Sequence, residues 1–141
     1  MELPITIRSD DQSDVEVTFP NNVTESLRLV ALQGNEYRVE TSSVLAEPAV
    51  RYCDVIEIEP TLQRAALFKR IVKRSDFKVF DFIISQKIAE SQELETLLLR
   101  VLQAGGNWER FFGGIFLVHL PKELQWDFNA ELQELVRRFK S

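Results

Sequence analysis

Two residues of this sequence have side chains that are often used for nucleophilic and acid–base chemistry. His119 is the only histidine and Cys53 the only cysteine. An imidazole can act as a general base or a metal ligand near neutral pH, and a thiol paired with it can act as a nucleophile. However, His119 shares a predicted strand face with Ile115 and Leu117, and no glycine-rich turn lies beside Cys53. We therefore predict a hydrogen-bonded strand histidine and a small buried cysteine, with no catalytic residue.

The sequence has no pattern of residues that is typical of a metal or phosphate site. One histidine and one cysteine do not supply the ligand spacing of zinc sites, and neither GxGxxG nor GxxxxGK occurs. Gly105-Gly106 and Gly113-Gly114 are explained by a helix end and a hairpin turn. We therefore predict no metal and no cofactor, and an enzyme is the least favoured class of function.

Three carboxylates occur along a predicted strand at residues 52–59. Glu57 and Glu59 lie on one face, which we expect to be solvated, whereas Asp54 lies on the other face with Ile56 and Ile58. Asp54 either caps the turn at the start of the strand or points inward as a binding residue. We favour the capping role and keep Asp54 as a candidate.

Positive charge is concentrated in residues 64–78, which we call the basic segment. It has six Lys and Arg residues against one Asp, whereas the whole chain has a net charge of −5. Its candidate binding residues are Lys69, Arg70, Lys73 and Arg74. Basic residues interleaved with aromatic ones, here Phe77, Phe80 and Phe82, can bind nucleic acid. Because the cations fall on both strand faces and the chain is acidic, we favour an edge strand protected from aggregation.

Aromatic residues near the predicted turns suggest a surface for a partner. Trp108 and Trp126 are predicted to pack in the core or at its margin. If they were exposed together with Phe111 and Phe112, the four side chains would mark such a surface.

The elements that position these residues begin with a strand-rich part. Apolar and polar residues alternate along it with the period of half-buried strands. The predicted strands cover residues 14–19, 25–33, 36–42 and 52–59, with a turn at Gly34-Asn35 and a loop at 43–50. We predict a small antiparallel β-sheet or partial barrel over residues 1–60.

The part from residue 61 to residue 141 has a different order of elements. Residues 64–74 and 77–84 are predicted to pair as an antiparallel ribbon. Further elements are a helix at 88–104, a hairpin of strands 107–112 and 114–120, and a helix at 128–140. Leu94, Leu97, Leu98, Val101 and Leu102 form the apolar stripe of the first helix. The order predicts a ferredoxin-like β-α-β-β-α unit without its final strand. The fold class is α+β, with a boundary near Pro60 inside one compact molecule.

Residues from about Glu25 to Pro121 resemble an uncharacterised bacterial family, domain of unknown function 4265. The similarity rests on Tyr37 in one strand and on Cys53-Asp54-Val55, where relatives tend to have Gly in place of the cysteine. It continues in the leucine-rich helix, the glycine break, Trp108-Glu109 and the apolar strand that ends at Leu120-Pro121. The resemblance implies a bacterial cytoplasmic domain and assigns no activity.

The start and the composition of the chain favour the cytoplasm. The start, Met-Glu-Leu-Pro-Ile-Thr, has no basic region followed by an apolar stretch. Apolar runs such as Ile115 to Val118 are far too short to span a membrane. A single cysteine excludes an internal disulfide. We therefore expect a cytoplasmic protein without a membrane partner.

Two classes of function remain. The first is a protein-interaction or regulatory module, for example an inhibitor or immunity-type protein, whose acidic residues 1–63 would attract a basic partner. The second is a small-molecule or nucleic-acid binding module that uses the concave side of the first sheet with the basic segment. We predict the first, so the expected partner is another protein. The candidate binding residues are Asp54, Lys69, Arg70, Lys73, Arg74, Trp108 and His119.

Overall fold

The structure is a computed structural model that describes residues 12–62 and 64–140. The chain forms two units, and the first unit ends at Ser75. The first contains strands, and the second contains a further sheet with helices. The α+β class is confirmed. No helix within the described ranges has the length and apolar character needed to cross a bilayer.

The first unit is a closed barrel. Its strands are β1 (Gln12–Thr18), β2 (Thr24–Ala31), β3 (Glu36–Val39), β4 (Val55–Glu59) and β5 (Ala66–Lys73). Successive strands pair antiparallel. β1 and β5 close the barrel through a short parallel pairing. The predicted sheet or partial barrel is therefore confirmed, although β3 and β4 are shorter than the alternation predicts.

Apolar side chains fill the inside of the barrel. Among them, Val17, Phe19, Leu27, Leu29, Val39, Val50, Ile56 and Ile58 are at most 3% exposed. The ring of Phe19 stacks on that of Phe68 with 5.1 Å between centroids. A barrel this small has room only for its own side chains. The inner side of the sheet is thus hydrophobic core, and not the open concave surface that the second class of function requires.

The second unit contains a three-stranded sheet and three helices among the described residues. They are β6 (Lys78–Ile83), α1 (Gln86–Ala89), α2 (Gln92–Gln103), β7 (Asn107–Phe111), β8 (Ile115–Leu120) and α3 (Phe128–Lys140). The sheet order is β6-β8-β7, and β8 is antiparallel to both neighbours. This arrangement is the split βαβ of ferredoxin-like folds. It confirms the predicted β-α-β-β-α unit, with the first helix divided into α1 and α2.

The helices of this unit cover one face of its sheet. The buried residues that pack together there include Leu94, Leu97, Leu98, Val101, Phe116, Val118, Leu120, Phe128, Leu132 and Leu135. Leu102, predicted to lie on the apolar stripe, is 47% exposed. Asp127 caps α3 as predicted, because its Oδ1 accepts from the Ala130 N–H at 3.0 Å.

The pairing of β5 corrects the predicted ribbon of residues 64–84. β5 pairs with β4, and at Ala66 and Leu67 with β1. β6, which was expected to pair with β5, pairs with β8 in the other unit. Because β5 closes the barrel, the division between the units falls after Ser75 and not near Pro60.

Candidate functional site

Asp54 organises the loop that leads into β4. Its side chain is 1% exposed. Its Oδ2 accepts from the Arg51 N–H at 2.8 Å and from Nη1 of Arg74 at 2.9 Å. Its Oδ1 accepts from the Ser75 N–H at 2.7 Å. These contacts give Asp54 a capping and bridging role within the fold, in line with the favoured alternative.

Much of the charge in the basic segment is balanced by carboxylates. Across β4 and β5, Nε of Arg70 lies 2.7 Å from Oε1 of Glu57. Nζ of Lys69 lies 3.2 Å from Oε1 of Glu59. Lys73 makes no ion pair with any residue in the described ranges. The segment therefore presents less positive charge than its composition suggests.

The same cations lie on an edge of the barrel sheet. β1 pairs with β5 only at Ala66 and Leu67 within the described ranges. Beyond Leu67, β5 has β4 as its described neighbour. Lys and Arg side chains along an open edge are typical of strands protected from aggregation.

His119 and Glu109 form a close pair in the second unit. His119 is completely buried and the side chain of Glu109 is 10% exposed. Nε2 of His119 lies 2.8 Å from Oε2 of Glu109. The register of β7 and β8 places the two residues diagonally on one sheet face. This geometry matches the predicted hydrogen-bonded strand histidine.

Cys53 lies half-buried in an environment that suppresses its reactivity. Burial is the main cause of the raised pKa of its thiol, and burial also raises the pKa of Tyr52 to about 12. A raised thiol pKa lowers the fraction of thiolate, which is the nucleophilic form. The φ of Cys53 is 71°, in the left-handed region that Gly adopts without strain. No metal-ligating group of three or more His, Cys, Asp or Glu occurs among the described residues.

The tryptophans are packed rather than grouped on a surface. The ring of Trp108 lies 6.0 Å from that of Phe116. Nε1 of Trp126 donates to Oε2 of Glu131 at 2.7 Å, and its ring contacts Phe128 edge-on at 5.5 Å. Of the four aromatics considered from the sequence, Phe112 is exposed, whereas the others, including Phe111, are half-buried.

Phe112 is the exposed aromatic at the tip of the β7–β8 hairpin. Its side chain is 81% exposed and its φ is 52°. A bulky residue with this φ is an outlier, at a cost of about 1–2 kcal/mol. Neither burial nor backbone preference explains a phenylalanine here. The sequence signal was Phe112 directly before Gly113-Gly114, since residues of hairpin turns lie at the surface.

Phe112 borders a cleft together with a second exposed apolar residue. Ile83, at the end of β6, is 78% exposed. Both residues line a cleft of about 490 Å³ with Ile84 and Ile115, which are half-buried. We call Ile83, Ile84, Phe112 and Ile115 the hairpin-tip surface. Its polar border includes Gln86, Glu90 and Arg110.

The turn that carries Phe112 is held in place by its neighbours. Nε of Arg110 donates to the Gly113 carbonyl at 2.5 Å. The Ile84 N–H donates to the Gly114 carbonyl at 3.0 Å. A Cβ on Gly114 would lie 2.5 Å from the Ile84 carbonyl oxygen, so this position requires glycine. Phe112 is thus presented by a fixed backbone.

Comparisons with known proteins bear on the fold. No family model and no curated protein matches the chain. It is similar to a solved structure described as a hypothetical protein from Neisseria gonorrhoeae, with a TM-score of 0.54 and 14% identity. The match covers 92% of this chain and 87% of that one. At this identity the likeness supports the fold alone, and the resemblance to domain of unknown function 4265 stays a prediction.

Proposed function

We propose that this chain is a protein-interaction module that binds another protein through the hairpin-tip surface. The observation that carries the proposal is the exposed, left-handed Phe112 beside the exposed Ile83. Residues held in unfavourable backbone conformations cluster at functional positions. Exposed aromatic and aliphatic side chains in one patch are typical anchors of protein interfaces.

The fixed backbone of the hairpin supports the same proposal. The hydrogen bonds of Gly113 and Gly114 hold the turn before any partner arrives. A loop whose backbone is already held loses less conformational entropy when a partner binds. At the border of the cleft, Nη2 of Arg110 lies 4.0 Å from Oε2 of Glu90. The two side chains supply the charged rim that interfaces usually have.

Binding of nucleic acid through the basic segment has weaker support. Three of its four candidate cations, Lys69, Arg70 and Arg74, contact carboxylates of the same unit. The net charge of −5 also opposes association with phosphates. We place the module in the bacterial cytoplasm, in a regulatory role, on the acidic composition and the family resemblance.

The test is an affinity capture from native lysate with matched surface variants. The tagged parent chain is compared with the double variant Ile83→Thr and Phe112→Asn, with and without nuclease. Leu62→Ser is the control, because Leu62 is fully exposed but lies in the other unit. We expect a stoichiometric protein partner that the parent and Leu62→Ser retain and the double variant loses.

Two results would contradict the proposal. A partner that the double variant retains fully would exclude the hairpin-tip surface as its binding site. Nucleic acid that co-purifies and dissociates in high salt would instead favour the basic segment.

A further inference from the structure

β6 is an edge strand with main-chain groups directed away from its sheet. The sheet order places β8 on one side of β6 and no described strand on the other. The Ile84 N–H, directly after β6, donates to the carbonyl of Gly114, directly before β8. Along an antiparallel ladder, the main-chain groups of successive residues point alternately toward and away from the partner strand. The N–H and C=O groups of Val79, Asp81 and Ile83 therefore point outward. They offer a regular set of donors and acceptors to an added strand.

A groove lies beside the C-terminal end of this edge. It is bordered by the end of β6, by α1 and by α3, and has a volume of about 500 Å³. Its apolar lining consists of Phe82, Ile83, Ile84, Ile88, Leu132, Val136 and Phe139. In a complete β-α-β-β-α-β unit, the strand after the second helix returns beside the first strand. The groove lies at one end of that place, so an extended segment beside β6 would complete the sheet and also cover the groove.

Two positive charges border the groove. Lys87 and Lys140 line it, and neither forms an ion pair with another residue in the described ranges. Ammonium groups beside an apolar groove favour an occupant with apolar side chains and carboxylates. The positive charge beside the groove thus favours extended segments that contain Asp or Glu.

We infer that the partner binds by adding an extended, acidic segment as a fourth strand, antiparallel to β6. Its alternate apolar side chains enter the groove, and its carboxylates face Lys87 and Lys140. Main-chain bonds supply affinity in this mode, and the alternate side chains supply specificity. The inference rests on the proposed function and adds the binding mode and the chemistry of the partner. Ile83 belongs to both the β6 edge and the hairpin-tip surface, so one partner can contact both.

The experiment uses a phage-displayed library of random peptides and selects those that bind the full chain. The informative variant is Asp81→Pro, which removes one outward N–H and leaves the bonds between β6 and β8 in place. Asp81→Ala is its matched control, because it keeps the N–H. We expect selected peptides that alternate apolar and polar residues and contain Asp or Glu. Their affinity should fall about tenfold in Asp81→Pro and change less than about twofold in Asp81→Ala.

The charge of the groove is tested with the same peptides. Lys87→Glu combined with Lys140→Glu should weaken binding of the selected acidic peptides by about tenfold or more. Versions of these peptides with Lys in place of the acids should bind the double variant better than the parent. Equal binding of acidic peptides to both proteins would overturn the charge assignment.

Further outcomes separate this inference from the proposed function. Peptides that bind Asp81→Pro as tightly as the parent, but lose affinity in Phe112→Asn, overturn strand addition and leave the proposed function standing. A selection without any binder to the parent also overturns strand addition, and the lysate capture then decides the proposed function. If Asp81→Pro does not fold, amide hydrogen exchange measured on the parent chain tests strand addition instead. Protection of Val79, Asp81 and Ile83 by a selected peptide supports strand addition, and unchanged exchange overturns it.

Discussion

Arg74 donates a hydrogen bond to the buried carboxylate of Asp54 at 2.9 Å, although the two residues lie 20 positions apart in the sequence. The same guanidinium donates to the Ala49 carbonyl at 3.0 Å. The contact ties the loop before β4 to the end of β5. Two residues that the sequence suggested as separate parts of a binding site therefore stabilise each other in the barrel.

Replacement of Asp54 should destabilise the barrel. Asp54→Ala leaves Arg74 and two main-chain N–H groups without their acceptor. Arg74 is 55% exposed and can be solvated by water, so most of the cost comes from the two main-chain N–H groups. We expect a loss of about 2 kcal/mol in the free energy of unfolding, measured by urea denaturation. Asp14→Ala is the control, since Asp14 and Arg28 are 64% and 50% exposed. Its cost should be below about 1 kcal/mol, and equal costs would contradict the bridging role of Asp54.

Replacement of Phe112 should separate stability from binding. Phe112→Asn should raise the free energy of unfolding by about 0.5–1 kcal/mol, because Asn tolerates the left-handed conformation better. The same change should weaken partner binding. Phe112→Ala keeps the unfavourable φ and should change stability little. If Phe112→Asn were destabilising in urea denaturation, the ring would be contributing to the fold rather than to an interface.

Charge reversal in the basic segment should affect the barrel and not nucleic-acid binding. Lys69→Glu combined with Arg70→Glu places acids against Glu57 and Glu59, and should cost about 1 kcal/mol of stability. We expect labelled single-stranded RNA to bind the parent more weakly than about 10⁻⁴ M at physiological salt, by fluorescence anisotropy. Lys73→Glu is the control for stability, because Lys73 makes no ion pair within the described ranges. Tight, salt-dependent binding lost in the double variant would instead support a nucleic-acid function.

Ionisation of Tyr52 should occur at unusually high pH. Burial raises its pKa from 10.0 to about 12, and the pKa of Cys53 is raised as well. The unfolded chain therefore releases these protons first. Their contribution to stability is fully present below the unfolded pKa values and is lost as the pH rises through the folded ones. Ultraviolet titration of a Tyr37→Phe variant, which leaves Tyr52 as the single tyrosine, should give a midpoint near 12. A midpoint near 10 would show that Tyr52 is solvated.

Local patterns were sufficient to predict most of the elements. The alternation at Val17 and Phe19 and the stripe of Leu94, Leu97 and Leu98 depend only on which face of an element is apolar. Asp127 caps a helix through an N–H three residues away. Such signals are local, so the sequence predicts the strands, the helices and the β-α-β-β-α order. At residues 86–103 one predicted helix becomes two, because Ser91 caps the second helix by accepting from the Leu94 N–H at 3.1 Å.

The sequence by itself determined which residues are apolar on one face of each element, and hence the α+β class of this protein. The tertiary structure decided which edges pair. An alternating strand such as β5 has two edges with equal hydrogen-bonding capacity, and closure of the barrel assigns it to β4 and β1. The structure also decided that Arg74 meets Asp54 and that Phe112 stays outside the core. Both outcomes depend on neighbours distant in the sequence, because burial and charge pairing are settled only when the whole chain packs.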